Sequence, residues 1–213
     1  MRKRYDAQLE KLHGEIIRMG EMIERAILNA VSALETHNVD QAKEIIANDE
    51  EIDQQEKLVE GICMKLLLSQ QPVAGDLRRV SSALKVITDM ERIGDHATDI
   101  SELTLMLSGV PGMGALDLRQ MAAKTCEMLL GSLEAFVHQD LQKAREVIAK
   151  DDEVDALFLR VKGDIIDALR SEPGGGEEAT DLLMAAKYFE RIGDHATNIA
   201  EWAIYAVLGE HET

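Results

Sequence analysis

One eight-residue sequence occurs twice in this chain, and it constrains the fold more than any other feature. ERIGDHAT occupies residues 91–98 and again residues 190–197. An identical run of eight mixed residues is too long to arise by chance, so we interpret the chain as a tandem duplication. A purely structural repeat would preserve its apolar positions, whereas this one preserves acidic and basic residues. The duplication therefore indicates a function that depends on those charged side chains.

A second pair of matching segments lies upstream of the octapeptides. EIIANDEEID at residues 44–53 corresponds to EVIAKDDEVD at residues 146–155, an offset of 102 residues, whereas the octapeptides are offset by 99. A turn absorbs such a difference in length more easily than a helix does. We therefore predict a turn between the two segments, where the first half has QQP at 70–72 and the second has EPGGG at 172–176.

The composition is typical of packed helices. Hydrophobic residues make up 46% of the chain and aromatic residues only 3%, and the chain has three prolines. Helix formers such as Leu, Ala, Met, Glu and Lys are abundant, and the aromatic richness of sheets is missing. Apolar residues recur every three or four positions along six stretches, which predicts six helices. These stretches are residues 9–34, 39–69, 73–107, 116–138, 140–171 and 177–208.

The order of the predicted helices gives the architecture. Three long helices joined by short turns pack as antiparallel neighbours. We therefore predict an all-α protein, a tandem repeat of two antiparallel three-helix bundles. The first bundle spans residues 1–108, the second spans residues 116–213, and a linker rich in glycine occupies residues 109–115.

The charge balance excludes several kinds of partner. Acidic residues outnumber basic ones 40 to 23, which gives a net charge of −17. Such a chain repels nucleic acid and anionic lipid headgroups, so we expect no nucleic-acid binding and no direct membrane insertion. The basic N-terminus is followed by no apolar segment, and no run of about 20 apolar residues occurs, so we expect a cytoplasmic protein. Cys63 and Cys126 lack a C-x-x-C partner and are expected to be small core residues without a disulfide.

Both halves carry acidic residues in pairs four positions apart, which places each pair on one helix face about 5–6 Å apart. The pairs are Asp49 with Asp53 and Glu91 with Asp95, continued by Asp99, in the first half, and Asp151 with Asp155 and Glu190 with Asp194 in the second. Carboxylates without Cys are the ligands of cations such as Fe, Mn, Mg or Ca, and this spacing is compatible with a bridged metal site. A solvated acidic face is the ordinary alternative, and the recurrence of the pairs in both halves weighs against it.

The other octapeptide residues have less specific interpretations. Gly94 and Gly193 cost a helix about 1 kcal/mol relative to Ala, which indicates close helix packing or, second, access to the acids. His96 and His195 point about 100° away from the acidic stripe, which favours a supporting or surface role over ligation.

Arg92 and Arg191 have two interpretations. Each could bind phosphate or pair with acids such as Asp89 or Glu102, and ion pairing is the preferred interpretation.

These features together resemble a known family. The E/D-x-x-x-D pairs of two three-helix repeats, the run QQPVAGDLR at 70–78 and the run ITDMERIGD at 87–95 are similar to those of the PhoU family over essentially the whole chain. The resemblance implies a negative regulator of phosphate uptake and of the phosphate-starvation response. It also implies partners, namely the ATPase subunit of the phosphate ABC transporter and a sensor histidine kinase. The second repeat has PGGG at 173–176 in place of the QQPVA run, so a contact made by that run is expected in one half only.

The resemblance also implies multinuclear metal clusters on the acid pairs, with Fe or Zn favoured and Mn or Mg as alternatives. We further expect a homodimer and no catalytic residue. A ferritin-like oxidase site is not supported, because such sites use Glu-x-x-His and His96 follows Glu91 by five positions. A metal-dependent phosphohydrolase and a metal-free helical adaptor remain as alternatives, although no nucleophile or general base separates itself from the acids.

Overall fold

The computed structural model describes residues 2–69, 74–107, 117–171 and 174–210. Within these residues every regular element is an α-helix, which confirms the predicted fold class. The helices are α1 (Arg2–Thr36), α2 (Val39–Ser69), α3 (Ala74–Met106), α4 (Leu118–His138), α5 (Leu141–Ser171) and α6 (Gly176–Leu208). The predicted linker at 109–115, the residues 70–73 and Pro173 lie outside the described residues, as do the predicted first residues of the third and fourth helices, 73 and 116.

The turns after α1 and α4 have the same geometry. His37 and Gln139, which occupy equivalent repeat positions, both adopt left-handed backbone conformations, with φ of 50° and 57°. The next residue in each turn, Asn38 or Asp140, accepts a hydrogen bond from the backbone N–H three positions later, at 3.1 and 3.0 Å. This side-chain cap satisfies a free N–H at the start of the following helix. The duplication therefore extends to the turns that set the helices antiparallel.

The two halves meet through their inner helices. Within each half the three helices pack on one another, and between the halves α3 packs against α6 and α1 against α4. Among the described residues, α2 and α5 contact only helices of their own half. The approach of α1 to α4 depends on Gly20, because a Cβ added there would lie 2.3 Å from Leu133 Cδ1. This arrangement places α3 and α6, which carry the octapeptides, at the centre of the molecule.

The core is aliphatic and continuous across both halves. Ile93 and Ile192 of the octapeptides are fully buried, so the repeated segment also contributes to packing. Cys63 and Cys126 are buried and free, as predicted, and burial raises the pKa of both thiols to about 12. No helix among the described residues combines the length and apolar content that crossing a bilayer requires.

Candidate metal centres

The predicted acids of the first half converge between α2 and α3. We call Asp49, Asp53, Glu91, Asp95 and Asp99 the first acid patch. Burial raises the pKa of Asp49, and the nearby carboxylates of Asp95, Asp53 and Asp99 raise it further, against the opposing effect of a hydroxyl on α3. Burial also raises the pKa of Glu91, and Asp95 adds to that shift. The shifts show that these side chains lie close enough to repel one another.

The acids of the second half form a matching cluster between α5 and α6. We call Asp151, Asp155, Glu190 and Asp194 the second acid patch. Burial raises the pKa of Asp151 to about 6, and the carboxylates of Asp194, Asp155 and Glu190 contribute to that shift. Burial also raises the pKa of Asp194, followed by the effect of Glu190. The structure thus brings together all four acids that the sequence predicted here.

Sequence reasoning missed one acid beside the first patch. Burial raises the pKa of Glu56 on α2, and Asp53 is the first of the neighbouring carboxylates that raise it further. The equivalent position in the second half is Phe158, so the comparison of matched pairs did not select it. The sequence did contain one indication of its role: Glu56 follows Asp53 by three positions and therefore lies on the same face of the helix.

The two patches therefore differ in charge. At the second patch Lys187 forms an ion pair with Glu190 and lies 5.4 Å from the ring centroid of Phe158. The first half has Thr88 at the position equivalent to Lys187. The first patch thus has an additional carboxylate nearby, and the cation beside each patch differs in kind, since the second has the Lys187 ammonium and the first has the Arg92 guanidinium.

The octapeptide arginines differ in their contacts. Arg92 forms ion pairs with Glu91 at 3.5 Å and with Asp95 at 3.2 Å. The prediction of ion pairing is thus confirmed for Arg92, but Asp89 and Glu102 were the wrong partners, because Asp95 lies one turn away and Glu91 is adjacent. Arg191 instead lies over an aromatic ring of its own helix, 5.9 Å from the centroid.

The octapeptide glycines lie where the acid-bearing helices approach each other. A Cβ on Gly94 would lie 3.3 Å from Ile52 Cγ2 and 3.9 Å from Asp49 Oδ1. A Cβ on Gly193 would lie 3.4 Å from both Val154 Cγ1 and Asp151 Oδ1. The prediction of close helix packing is confirmed. Because each glycine lacks a side chain, one carboxylate of each patch also lies close to the backbone of the neighbouring helix.

The octapeptide histidines lie in the contact between α3 and α6. The predicted supporting role is consistent with this position, but His96 binds Asp99 of the acidic stripe, so the predicted direction away from that stripe is wrong for His96. His96 Nδ1–H donates to Asp99 Oδ2 at 3.0 Å, and His195 Nδ1–H donates to Asp89 Oδ1 at 2.8 Å. The two imidazole rings are 5.6 Å apart. Asp99 therefore takes part in two sets of interactions. Its negative charge contributes to the raised pKa of Asp49, and its carboxylate accepts a hydrogen bond from His96 in the contact between α3 and α6.

The donor chemistry of both patches fits a hard or borderline metal ion. Each patch consists of carboxylates alone, and the pKa values of Asp49, Glu91, Asp151 and Asp194 are raised first by burial and then by neighbouring carboxylates. In the described part of the chain, no group of three or more His, Cys, Asp or Glu side chains is placed so that it could hold a metal ion. The assignment of metal to these residues stays a prediction, which rests on the donor type and on the recurrence of the acid pairs in both halves.

Comparison with known proteins identifies the family. The model of the PhoU domain matches residues 16–104 and again residues 118–203. A phosphate-specific transport system accessory protein PhoU homolog from Clostridium acetobutylicum is 37% identical over 211 residues, which cover 98% of this chain and 96% of the relative. A homolog of the same name from Aquifex aeolicus is 35% identical over 204 residues, with 95% and 92% covered.

Solved structures agree with this relationship. The crystal structure of PhoU from Pseudomonas aeruginosa superposes with a TM-score of 0.89 at 30% identity, covering 97% of this chain and 100% of that one. The phosphate transport system regulatory protein PhoU from Streptococcus pneumoniae gives a TM-score of 0.90 at 28% identity, covering 98% and 99%. The chain, with its two PhoU domains, therefore belongs to the PhoU family of phosphate-specific transport system accessory protein homologues.

Proposed function

We propose that this protein is a negative regulator of phosphate uptake and of the phosphate-starvation response. The observation that carries the proposal is the match of both PhoU domains to relatives named as phosphate-specific transport system accessory proteins, over 98% of this chain in one case. The site is consistent with regulation, because its acids form two repeated patches and no nucleophile or general base stands apart from them. A regulator has to bind partners rather than turn over a substrate.

The proposed partners are the ATPase subunit of the phosphate ABC transporter and a sensor histidine kinase. Long helices with a net charge of −17 offer extended acidic faces for protein partners. The outer helices also expose apolar side chains to solvent, including Leu58 and Met64 on α2 and Leu159 and Ile166 on α5. Both partners act on the cytoplasmic side of the membrane, so the proposal includes a cytoplasmic location. It also includes a homodimer.

The proposal includes metal at both acid patches, with more than one ion in each. Fe or Zn is the proposed metal, as the family resemblance implies, with Mn or Mg as alternatives, because carboxylate oxygens can ligate all four ions. Bound metal would neutralise the carboxylates whose pKa values are raised by burial and by neighbouring carboxylates. Asp49, Asp53, Glu91 and Asp95, with Asp99, would hold it in the first half, and Asp151, Asp155, Glu190 and Asp194 would hold it in the second.

Deletion of the gene is expected to leave phosphate-responsive genes expressed in high phosphate, because the kinase then lacks the protein that favours its inactive state. Reporter expression in the deletion strain measures this, and a plasmid copy of the gene should restore repression. In vitro, the purified protein should bind the cytoplasmic region of the kinase or the ATPase subunit. Normal repression in the deletion strain, together with no binding to either partner in the presence of metal and phosphate, would contradict the proposal.

The two alternatives have different signatures. A metal-dependent phosphohydrolase would turn over a generic phosphoester, and that activity would disappear with the acid patches. A metal-free adaptor would bind its partners equally well after chelation. Phosphoester turnover identifies the enzyme, and partner binding with and without chelator separates the metal-dependent regulator from the metal-free adaptor.

A further inference from the structure

We propose that Asp89, a residue of the first PhoU domain, is a positioning residue for the second acid patch. The inference rests on the proposed function in one respect, namely that the second acid patch holds metal. In this proposal the contact between the two domains helps to arrange a site that lies entirely on α5 and α6.

Asp89 binds one face of α6 through two hydrogen bonds. Its Oδ1 accepts from His195 Nδ1–H at 2.8 Å and from Asn198 Nδ2–H at 3.1 Å. The Asp89 side chain is 15% exposed, so both bonds lie largely out of water. His195 and Asn198 are three positions apart, which places them on the same side of the helix. These two bonds to a single carboxylate, together with the packing of α6 on α3, α4 and α5, set the rotation of α6 about its own axis relative to α3.

That rotation determines where the metal-binding carboxylates of α6 point. Asp194 directly precedes His195, so its side chain projects about 100° round the helix, toward α5. A rotation of α6 by about 10° would move a carboxylate about 5–6 Å from the helix axis by roughly 1 Å. Metal–oxygen distances tolerate only about 0.2 Å. The distance between the α6 carboxylates and Asp151 on α5 therefore depends on the contact that Asp89 makes.

The first acid patch has no equivalent contact at the corresponding place. The repeat equivalent of Asp89 is Tyr188, whose ring lies 5.4 Å from that of His96. His96 donates its hydrogen bond to Asp99, an acceptor on the same helix. A carboxylate from the opposite domain therefore holds the α6 residue next to Asp194, whereas the α3 residue next to Asp95 is held from within its own helix. This asymmetry supplies an internal comparison, because the loss of Asp89 should weaken the second patch more than the first.

The test measures Mn²⁺ affinity at each patch separately, through the electron paramagnetic resonance signal of the free ion. Two backgrounds isolate the patches: Asp53→Asn, Glu91→Gln and Asp95→Asn leave the second, and Asp155→Asn, Glu190→Gln and Asp194→Asn leave the first. Asp89→Ala should weaken binding at the second patch by about tenfold, the low end of the range for losing a hydrogen-bond partner of a metal ligand, because Asp89 acts through His195 and Asn198 rather than on a ligand itself. Binding at the first patch should change by less than about threefold.

Further variants separate positioning from a general loss of structure. Asp89→Asn keeps the oxygen acceptor and should recover most of the affinity, whereas Asn198→Ala removes one hydrogen bond and should give an intermediate loss even if Asp89→Ala does not fold. Tyr188→Phe keeps the aromatic ring and should leave both patches unchanged. Unchanged affinity at the second patch, or equal losses at both patches, overturns the inference and leaves the proposed function standing. Absence of Mn²⁺ binding in the protein with both patches intact overturns the inference together with the metal part of the proposed function, and leaves its regulatory part standing.

Discussion

The protein carrying Asp53→Asn, Glu91→Gln and Asp95→Asn together is expected to lose metal from the first acid patch and to keep it at the second. The three side chains supply carboxylates from both helices of the patch, so their neutral replacements remove the charge that a cation needs. The second patch lies between α5 and α6. Among the described residues α5 contacts no helix of the first half, and the α3 side chains of Asp89 and His96, which contact α6, are not replaced, so the ligands of the second patch should be undisturbed. Elemental analysis after reconstitution with iron, manganese or zinc measures the remaining metal.

The control for this experiment is the matched set in the second half, Asp155→Asn, Glu190→Gln and Asp194→Asn, which should show the reverse pattern. A second control replaces Glu50 and Glu51 by Gln, since both are exposed acids on α2 that lie outside the patch. That variant should keep its full metal content. Equal metal content in the triple variant and the unmutated protein would show that the first patch is not a metal site.

Asp151→Asn is expected to stabilise the metal-free protein at pH 7.5. The pKa of Asp151 is raised to about 6, first by burial and then by Asp194, Asp155 and Glu190. Keeping the carboxylate ionised in the folded state therefore costs free energy, and Asn avoids that cost. Each unit of pKa shift corresponds to about 1.4 kcal/mol, and allowing for partial solvent screening we expect the free energy of unfolding to rise by about 1–2 kcal/mol.

The sign of this effect determines its pH dependence. Because the pKa of Asp151 is raised in the folded state, the folded protein binds a proton that the unfolded chain releases, and stability increases as the pH falls through about 6. The advantage of Asp151→Asn should therefore shrink between pH 7 and pH 4.5. Burial lowers the pKa of His13 and of His96, which opposes this trend below about pH 6.5, but both histidines are present in both proteins and their effect cancels.

Urea unfolding of chelator-treated protein at several pH values measures the difference. Asp152→Asn is the matched control, because Asp152 is the next residue on α5 and is exposed. It should leave the free energy of unfolding nearly unchanged at every pH. The electrostatic explanation would be contradicted if the difference in free energy of unfolding between Asp151→Asn and the unmutated protein stayed constant from pH 7.5 to pH 4.5.

The sequence was sufficient to predict the helices and the acid pairs. Long apolar periodicity and few prolines determine helices, and the repeated octapeptides placed Glu91 and Asp95 on the third helix and their counterparts on the sixth. Helix ends were predicted less well, since the first helix begins at Arg2, whereas the predicted apolar stretch begins at residue 9. The cause is that apolar periodicity does not mark the residue at which backbone hydrogen bonding starts.

The features that the sequence did not reveal depend on tertiary contacts or on differences between the repeats. Asp89 binds α6 only because α3 and α6 pack side by side, which no local pattern encodes. Glu56 was missed because its counterpart is Phe158, and the repeat comparison selects only what both halves share. The partner of Arg92 depended on side-chain conformation, which spacing alone leaves open. Repetition therefore revealed the common site, and the structure revealed how the two copies differ.

The most direct test of the central claim, that the two acid patches are metal centres, is anomalous diffraction from crystals of the reconstituted protein, recorded at the iron, manganese and zinc edges. The account predicts a peak between α2 and α3 beside Asp49, Asp53, Glu91 and Asp95. It predicts a second peak between α5 and α6 beside the residues of the second acid patch. Crystals that show no anomalous peak at either place, from protein reconstituted with all three metals, would contradict it.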